Sequence, residues 1–410
     1  MLCLNHNTIG DAKTPSNTLD LDSIIVRFGG EIWTKKTWTR RQYERLILHN
    51  IKRILKFHNF PVIEVIKTHG RLFIKTENVE ESSQKMAKVF GISSLSPALE
   101  TSSRLDDIVK KSLLLANQRL EKGSTFAVKC RRVGSHPYGS RDVCRLVGHQ
   151  ILETFGEKYG LKVDLKRPDI TFGIDIRDDK AFIFDRVIEG QGGLPLGAQS
   201  RLVGLLNGEI NSAVACWLVM KRGCPIIPLH FDNTPYMDEN TTERAIDHTR
   251  MLLDWAIGYP RRVYVVSNGK NLKEIVEKCP NHLACLLCKR MMYKIAEKVS
   301  EMFRAEGIVT GETVGTLESL TLHDLNLLSQ AAIQYPIHRP LLGFNKQEIE
   351  ELATKIGICP LLVEKKKVCV VMSTKPKTVT NLQEIIKAEK KLKVEGMIDQ
   401  SMKLLKVISL

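Results

Sequence analysis

The sequence predicts a multidomain protein in which a mixed α+β region precedes a parallel α/β domain. Strands and helices are mixed without regular order over the first half, whereas strand and helix alternate from about residue 198 to 375. The strands of the second half are short apolar runs, typical of a parallel sheet covered on both faces. At about 150 residues per domain, the 410 residues predict two or three domains.

The first predicted segments are a tail and a small α+β unit. Residues 1–22 are polar and irregular, which predicts a flexible tail. Residues 23–75 then contain a strand, an amphipathic helix and two strands around a turn at His69-Gly70. These elements correspond to SIIVRFGGEIW, TRRQYERLILHNIKRILKFH and VIEVIKTHGRLFIKT.

Three further segments complete the predicted organisation. Residues 76–190 contain the helix RLDDIVKKSLLLANQRL, the strand STFAVKCRRV and a helix that Gly160 ends. The glycine-rich linker IEGQGGLPLGAQ predicts a domain boundary. The α/β domain follows at 198–375, and a basic helical tail is predicted at 376–410.

Charge indicates a polyanionic partner. The net charge is +15 and the isoelectric point about 9.3, which favours nucleic acid over a membrane, although a generally basic proteome is an alternative. The sequence lacks an apolar span and a secretory pattern, and its ten cysteines have no small-domain disulfide spacing, so we expect a cytoplasmic protein. One segment, FAVKCRRVGSHPYGSRDVCR, concentrates cations around two rings. The candidate RNA-binding residues are Lys129, Arg131, Arg132, His136, Tyr138, Arg141 and Arg145.

The stretch VGLLNGEINSAVACWLVMKRG predicts a strand, a polar turn with glycine, and a helix. Free N–H groups at such a helix start suit phosphate, and ligands of open α/β sheets lie at the carboxyl ends of strands. Many α/β domains have this turn and bind nothing. Moreover, Glu209 places an acid in the turn, so the pattern alone leaves a nucleotide site and a structural turn both open.

Three cysteines form a possible metal-binding set. Cys285 and Cys288 are spaced C-x-x-C, and Cys369 lies far along the chain. Alternatively, the pair packs near a helix start and Cys369 lies in a buried strand. Zinc is a competing metal, but its structural sites usually take four ligands, for which Cys359 or Cys279 is a candidate.

The order of motifs resembles that of the tRNA 4-thiouridine synthetases, or tRNA sulfurtransferases. The resemblance covers about residues 24–375 and depends on FAVKCRRVGSHPYGSRDV, GQGGLPLG, CLLCKRMMYKIAE, GETVGTLESLTL and RPLLGFNKQEIEELATKIG. It implies a ferredoxin-like domain at 23–75, an RNA-binding THUMP domain at 76–190 and a Rossmann-like ATP-pyrophosphatase domain at 198–375. It also implies a homodimer.

The resemblance implies a reaction. ATP with Mg²⁺ adenylates O4 of uridine 8 in tRNA, and sulfur from a sulfide or persulfide donor displaces AMP to give 4-thiouridine. Some relatives also serve thiamine thiazole synthesis. We expect no rhodanese domain, because few residues follow Cys369. Relatives without that domain resemble this chain in having Cys285, Cys288 and Cys369, which the resemblance implies hold an iron–sulfur cluster.

The resemblance also assigns roles to single residues. Lys346, Asn211 and Cys369 are implied to be catalytic, although Lys346 also fits a solvated lysine after the helix cap Asn345. The implied nucleotide-binding residues are Val203, Gly204, Asn207, Gly208, Ser212, His230, Phe231, Lys289 and Gly311.

The chain departs from the family at the phosphate loop. The family loop is Ser-Gly-Gly-x-Asp-Ser, whereas this chain has Asn207, Glu209 and Asn211 at three of the specified positions. Glu209 adds a Cβ that restricts positive φ and a carboxylate near the expected pyrophosphate, and Leu320 stands where the family has glutamine. We expect a sulfurtransferase with an altered loop; a relative that has lost ATP chemistry but binds tRNA, and a plain RNA-binding module, are the alternatives.

Overall fold

A computed structural model describes residues 21–68, 70–238, 240–315, 321–358, 369 and 381–410. The chain divides into two compact units, one ending at Pro195 and the other beginning at Leu196, so the division falls in the glycine-rich linker. Apart from residues 21 and 22, the predicted tail 1–22 lies outside the described residues. Within the described ranges, no helix is long and apolar enough to cross a membrane.

The first unit contains nine strands and five helices among its described residues. They are β1 (Ser23–Phe28), α1 (Gly30–Trp33), α2 (Thr37–Phe57), β2 (Val62–Thr68), β3 (Arg71–Thr76), α3 (Val79–Met86), β4 (Ile92–Ser102), α4 (Leu105–Arg119), β5 (Thr125–Val133), α5 (Ser140–Tyr159), β6 (Lys162–Val163), β7 (Ile170–Arg177), β8 (Lys180–Phe184) and β9 (Ile188–Glu189).

The strand β4 joins the two halves of this unit. The strand order is β2-β3-β1-β4-β8-β7-β5-β6, with β9 also paired to β4. The sequence placed the end of the first domain at residue 75. In the structure, α3 and β4 continue that domain, because β4 pairs antiparallel with β1 from Ile92 to Ala98, and only its end pairs with β8.

The helix α5 shows why the second predicted region folds as expected. Its apolar residues Val143, Val147, Ile151 and Phe155 recur every four positions and are buried in one core with β5 and β7. Gly160 ends the helix at a φ of +63°, a left-handed conformation that glycine adopts without steric cost.

The second unit alternates strand and helix. It comprises β10 (Leu202–Leu205), α6 (Ile210–Met220), β11 (Ile226–Asp232), α7 (Thr241–Leu253), β12 (Arg262–Ser267), α8 (Gly269–Lys278), a 3₁₀ turn (Asn281–Leu283), α9 (Ala284–Phe303), β13 (Ile308–Val309), α10 (Leu322–Ser329), β14 (Ile337–His338), α11 (Lys346–Lys355), α12 (Leu382–Glu389), α13 (Val394–Lys403) and β15 (Lys406–Ser409).

The described strands of the second unit form one sheet in the order β14-β13-β10-β11-β12-β15. The first five run parallel, as the apolar strands predict, and every residue of β10 is buried. From β10 the chain moves to β11 and β12 on one side and later returns to β13 on the other. The sheet therefore has a topological switch point at β10, where ligands of such folds bind.

The carboxyl-terminal segment predicted as a basic helical tail is built into this unit. Its helices α12 and α13 contribute Ile385, Met397 and Ile398 to the core, and β15 adds an unpredicted antiparallel edge strand beside β12. The Arg290 guanidinium on α9 donates to both oxygens of Glu389 on α12, at 2.9 and 3.1 Å. The segment after residue 381 is thus part of the domain.

Candidate nucleotide site and RNA-binding face

The loops that follow β10, β11, β12 and β13 all leave the same edge of the second sheet, because these strands are parallel. The loop between β10 and α6 lies at the switch point. It carries Asn207, Gly208 and Glu209, and it leads directly into the first turn of α6, whose N–H groups and dipole suit an anion. The fold therefore places the predicted phosphate loop where a nucleotide site is expected.

The backbone of this loop tolerates Glu209. The glycine that needs a left-handed conformation is Gly208, with a φ of +78°, and a Cβ there would lie 2.8 Å from the carbonyl oxygen of Thr241. Glu209 has a φ of −109° in the extended region. The expectation that its Cβ restricts a positive φ is therefore wrong, and what the substitution adds is the carboxylate.

Side chains of the loop bind one another. Asn207 Oδ1 accepts from the backbone N–H of Glu209 at 3.1 Å, and Asn207 Nδ2 donates to Glu209 Oε2 at 3.3 Å. The Ser212 hydroxyl donates to the carbonyl oxygen of Glu209 at 2.8 Å and accepts from the N–H of Asn207 at 3.3 Å. These bonds fix the turn through residues 207 and 209, both of which differ from the family loop.

Two glycines allow close packing around α6. A Cβ on Gly311 would lie 2.5 Å from the Ser212 nitrogen and 2.6 Å from the carbonyl carbon of Asn211. A Cβ on Gly204 would lie 2.6 Å from Cys216 Sγ, beneath the helix. The loop after β13 thus touches the helix start that the phosphate loop leads into, and Gly204 seats α6 on β10.

His230, Val203 and Phe231 are buried in the sheet. His230 Nδ1 lies 2.7 Å from the Leu206 carbonyl oxygen, which only accepts, so Nδ1 carries the proton and Nε2 accepts from Thr242 Oγ1 at 3.1 Å. Burial lowers the pKa of His230, which keeps the imidazole neutral. His230 therefore holds the carbonyl that precedes the phosphate loop, and Val203 and Phe231 pack in the core.

A charged cluster surrounds Glu312, next to Gly311. Arg339 Nε donates to Glu312 Oε2 at 2.7 Å, the Tyr293 hydroxyl donates to Oε1 at 2.6 Å, and Lys289 Nζ lies 3.8 Å from Oε1. Burial, then Glu312, raises the pKa of Tyr293 well above its usual value. Lys289 and Arg339 carry two positive charges against the single negative charge of Glu312, so a net positive charge is available to a phosphate. Arg339 and Tyr293 escaped the sequence analysis because nothing in their local pattern marks them.

The three predicted cysteines converge at the same end of the domain. Cys285 and Cys288 lie in the first turns of α9, and Cys369 packs against the core that contains Cys288. Burial, followed by the charges of Cys285 and Cys369, raises the pKa of Cys288 to about 12. Asn268, at the end of β12, donates to Cys288 Sγ at 3.5 Å.

The described side chains do not form a finished metal site. Among them, no group of three or more His, Cys, Asp or Glu residues is placed to hold a metal ion. Three thiols close together are a donor set that suits an iron–sulfur cluster. Of the fourth-ligand candidates, Cys279 Sγ donates to Ala388 O at 3.5 Å inside the core, and Cys359 lies outside the described residues.

Two other predicted residues are placed differently. The Lys346 side chain is 81% exposed and its Nζ lies 3.7 Å from Glu350 on the same helix. Asn345 caps that helix by accepting from the Glu348 N–H at 2.9 Å. This is the geometry of a solvated lysine at a helix start, so its catalytic role stays a prediction. Leu320 lies outside the described residues.

The predicted RNA-binding segment covers two faces of the first unit. Lys129 and Arg131 are exposed and lie two residues apart on β5, hence on one face. Arg141 and Arg145 are exposed on the first turns of α5. Since alternate residues of a strand point to opposite faces, Arg132 lies on the other side of β5 from Arg131.

Arg132 and His136 shape the loop between β5 and α5. Arg132 Nη1 donates to the Gly134 carbonyl oxygen at 3.1 Å and contacts His136 Nδ1 at 3.2 Å. His136 Nε2 in turn donates to the Asp178 carbonyl oxygen at 2.6 Å. The Tyr138 hydroxyl donates to the Ser103 carbonyl oxygen, so its ring is fixed. Arg132, His136 and Tyr138 therefore hold the loop in one conformation through these hydrogen bonds.

Family models match three successive regions of the chain. A ThiI ferredoxin-like domain matches residues 23–96, a THUMP domain matches 102–185, and "Thiamine biosynthesis protein (ThiI)" matches 197–394. The protein is therefore of the class that joins a ferredoxin-like domain and a THUMP domain to a parallel-sheet ThiI domain, which confirms the predicted fold.

Relatives match nearly the whole chain. A protein of Methanosarcina acetivorans named "Probable tRNA sulfurtransferase" is 36% identical over 390 residues, covering 94% of this chain and 93% of its own. One of the same name from Caldanaerobacter subterraneus is 34% identical and covers 92% and 97%. A 4-thiouridine synthetase, solved with RNA and bound ATP, superposes with a TM-score of 0.85 at 28% identity, covering 95% and 100%. The chain belongs to the tRNA sulfurtransferase family.

Proposed function

We propose that this protein is an ATP-dependent tRNA sulfurtransferase that converts uridine 8 of tRNA to 4-thiouridine in the cytoplasm. The observation that carries the proposal is the phosphate loop at the switch point of the sheet, with the first turn of α6 against Gly311 and the Lys289 and Arg339 cations nearby. That site suits the phosphates of a nucleotide. The match to relatives along nearly the whole chain supports the same reaction.

The chemistry requires two steps. O4 of the uridine attacks the α-phosphorus of ATP, and pyrophosphate leaves with the electrons of the broken P–O bond. A hydrosulfide equivalent then adds to C4, AMP leaves with the former O4, and loss of a proton gives the thiocarbonyl. In the first step, the helix start of α6 and Lys289 stabilise charge that grows on the phosphates. Mg²⁺ would neutralise part of the same charge when bound.

The three converging cysteines are the proposed place of sulfur delivery. Cys285, Cys288 and Cys369 would supply thiolates to an iron–sulfur cluster, which would carry the sulfide. Cys288 is buried and lies in the first turns of α9 with Cys285, and a coordinating metal would stabilise its thiolate. Anaerobically purified protein should therefore contain iron and labile sulfide, and Cys288→Ala should lack both. Cys130→Ala, in the first unit, is the matched control.

A relative that binds tRNA without ATP chemistry is the second candidate. The observation that favours it is the Glu209 carboxylate, held by Asn207 at the loop where a pyrophosphate would bind. Like charges about 4 Å apart repel by about 1 to 4 kcal/mol. We place this candidate second, because the backbone of the loop accommodates Glu209 and because Gly208, Ser212, Lys289 and Gly311 are all present.

Nucleoside analysis of a deletion strain tests the proposed function. Mass spectrometry of its tRNA should find no 4-thiouridine at position 8, and the wild-type gene should restore it. A gene that carries Gly311→Ala should restore less, because its Cβ displaces the start of α6. Normal 4-thiouridine in the deletion strain would overturn the proposal. We also propose that the protein transfers sulfur for thiamine thiazole synthesis, and growth of the same strain without added thiamine tests this second role.

A further inference from the structure

Two arginines of the first unit bind the buried carboxylate of Asp175, and two more lie close to them. Arg177 Nε donates to Asp175 Oδ1 at 2.6 Å, and Arg71 Nη1 forms an ion pair with the other oxygen. Arg27 and Arg131 complete the cluster, since both lie close enough to lower the pKa of Arg71 through their charge. We call these four residues the arginine cluster.

The cluster lies between strands that belong to the two halves of the unit. Arg27 on β1 is the register partner of Arg71 on β3, and Arg131 on β5 is the register partner of Asp175 on β7. Arg177 follows two residues after Asp175 and therefore points to the same face of β7. The ion pair between Arg71 and Asp175 brings these two faces together.

Aromatic side chains pack beside the arginine cluster. The rings of Phe73 and Phe182 stack with centroids 4.1 Å apart, and both residues are buried. Phe184 lies under the Arg27 guanidinium, with 5.0 Å from its Cζ to the ring centroid. Arg27 Nη1 also donates to Ser96 Oγ at 2.9 Å. Arg27 is therefore held in position, and Arg131 is exposed to solvent.

Positive charge exceeds negative charge among the residues of the arginine cluster and the carboxylates near them. Two of the four guanidinium groups pair with Asp175, and Asp178 is a further carboxylate near Arg177. Burial is the main cause that lowers the pKa of Arg71 to about 9 and that of Arg27 to about 10, and the neighbouring arginines lower both further. Both groups remain protonated at neutral pH, so the excess charge persists and favours an anion.

Arg177 has hydrogen-bond donors without an acceptor among the described residues. The residue is 3% exposed, and neither its Nη1 nor its Nη2 has a hydrogen-bond partner among the residues that the structure describes. Leaving buried donors unpaired costs about 1 to 3 kcal/mol, and more for charged groups. A phosphate supplies several acceptor oxygens, and guanidinium groups bind it in a bidentate manner.

We propose that the arginine cluster binds a phosphate group, and that this phosphate belongs to the backbone of the bound RNA. The assignment to RNA rests on the proposed function. It is supported by β5, where exposed Lys129 stands two residues from Arg131 on the same face and extends the positive charge outward. A phosphodiester chain fits this row of cations, because each successive phosphate meets a new positive group.

The salt dependence of tRNA binding tests the RNA assignment. Each phosphate contact that is lost lowers the slope of log K against log salt by about 1. Arg71→Gln and Arg27→Gln should therefore weaken tRNA binding and lower the slope by about 1. Lys158→Gln, an exposed cation at the other end of α5, should leave the slope unchanged. Arg71→Lys should restore part of the affinity because it restores the charge.

Inorganic phosphate tests the site itself. At equal ionic strength, the melting temperature of the wild-type protein should be higher in sodium phosphate than in sodium chloride, and Arg71→Gln should lose this difference. Circular dichroism establishes that each variant is folded; if Arg71→Gln is not, Arg131→Gln at its exposed position takes its place.

The two measurements separate the possible sources of the phosphate. Loss of the phosphate effect together with a lower slope supports the proposal. Loss of the phosphate effect with an unchanged slope means that the cluster binds free phosphate, which overturns the RNA assignment. If phosphate does not raise the melting temperature of the wild-type protein and the variants do not change the salt slope, the arginine cluster is not a phosphate site. Wild-type protein that does not bind tRNA contradicts the proposed function, while the phosphate experiment still decides whether the site exists.

Discussion

Asn207 and Glu209 hold each other across the phosphate loop through two hydrogen bonds, from Glu209 N to Asn207 Oδ1 and from Asn207 Nδ2 to Glu209 Oε2. Both residues differ from those of the family loop, Ser-Gly-Gly-x-Asp-Ser. The pair preserves the shape of the turn, since Gly208 still provides the positive φ and Glu209 is extended. The remaining consequence of the pair is one negative charge near the helix start.

The first prediction concerns that charge. Glu209→Gln removes the carboxylate but keeps a side chain of similar size, so repulsion with phosphate disappears while the turn remains. At about 1 kcal/mol or more of repulsion, ATP should bind at least about fivefold more tightly. Calorimetry with Mg²⁺ and tRNA measures the change. Glu274→Gln on the surface of α8 is the control, and an equal affinity of wild type and Glu209→Gln would refute the account.

The second prediction concerns Gly311. Gly311→Ala places a Cβ 2.5 Å from the Ser212 nitrogen, so the loop after β13 or the start of α6 has to move. We expect a loss of about 1 to 3 kcal/mol in stability and weaker ATP binding. Gly343→Ala is the matched control, because a Cβ there meets nothing within 4 Å. Similar denaturation midpoints for the two variants would contradict the predicted close contact.

The third prediction concerns pH. Burial lowers the pKa of His230, so the unfolded chain takes up this proton more readily than the folded one. Its contribution to stability is complete above the usual histidine pKa of about 6.5 and declines as the pH falls below it. His230→Gln should therefore lose less stability than wild type between pH 7.5 and 5.5 in urea titrations. His149→Gln, on an exposed side chain, should behave like wild type.

Local patterns in the sequence predict much of the fold, while contacts between distant residues escape them. Helical spacing predicts α5, and alternation of apolar strands with helices predicts the parallel sheet. The glycine-containing turn predicts the phosphate loop. By contrast, the pair formed by Arg71 and Asp175 joins residues about one hundred positions apart, and no periodicity marks it.

The strand β15 also depends on a contact between residues that are distant in the sequence. The sequence predicts a helix for the tail that contains the four residues of this strand. They form a strand because they pair antiparallel with the edge of β12. Asn268 was also missed, because its position beside Cys288 depends on how α8 and α9 pack. The side chain of Lys346, which the family resemblance marks as catalytic, is exposed.

The fourth prediction concerns the carboxyl-terminal segment. Glu389→Ala leaves the Arg290 guanidinium, which is 3% exposed, without its bidentate partner on α12. Breaking such a pair should cost about 3 kcal/mol of stability. Glu384→Ala, which removes an exposed partner of His282, should cost less than about 1 kcal/mol. Equal unfolding free energies for the two variants would mean that the segment is not anchored through Arg290.

The central claim is that this altered loop still uses ATP to thiolate tRNA. The most direct measurement incubates purified protein, prepared anaerobically, with unmodified tRNA, ATP, Mg²⁺ and sulfide, and quantifies AMP and 4-thiouridine in the same reaction. We predict one AMP released for each 4-thiouridine formed, and neither product when ATP is omitted. Protein that binds tRNA but yields no AMP and no 4-thiouridine, while Asn207→Ser, Glu209→Gly and Asn211→Asp together produce both, would contradict the claim.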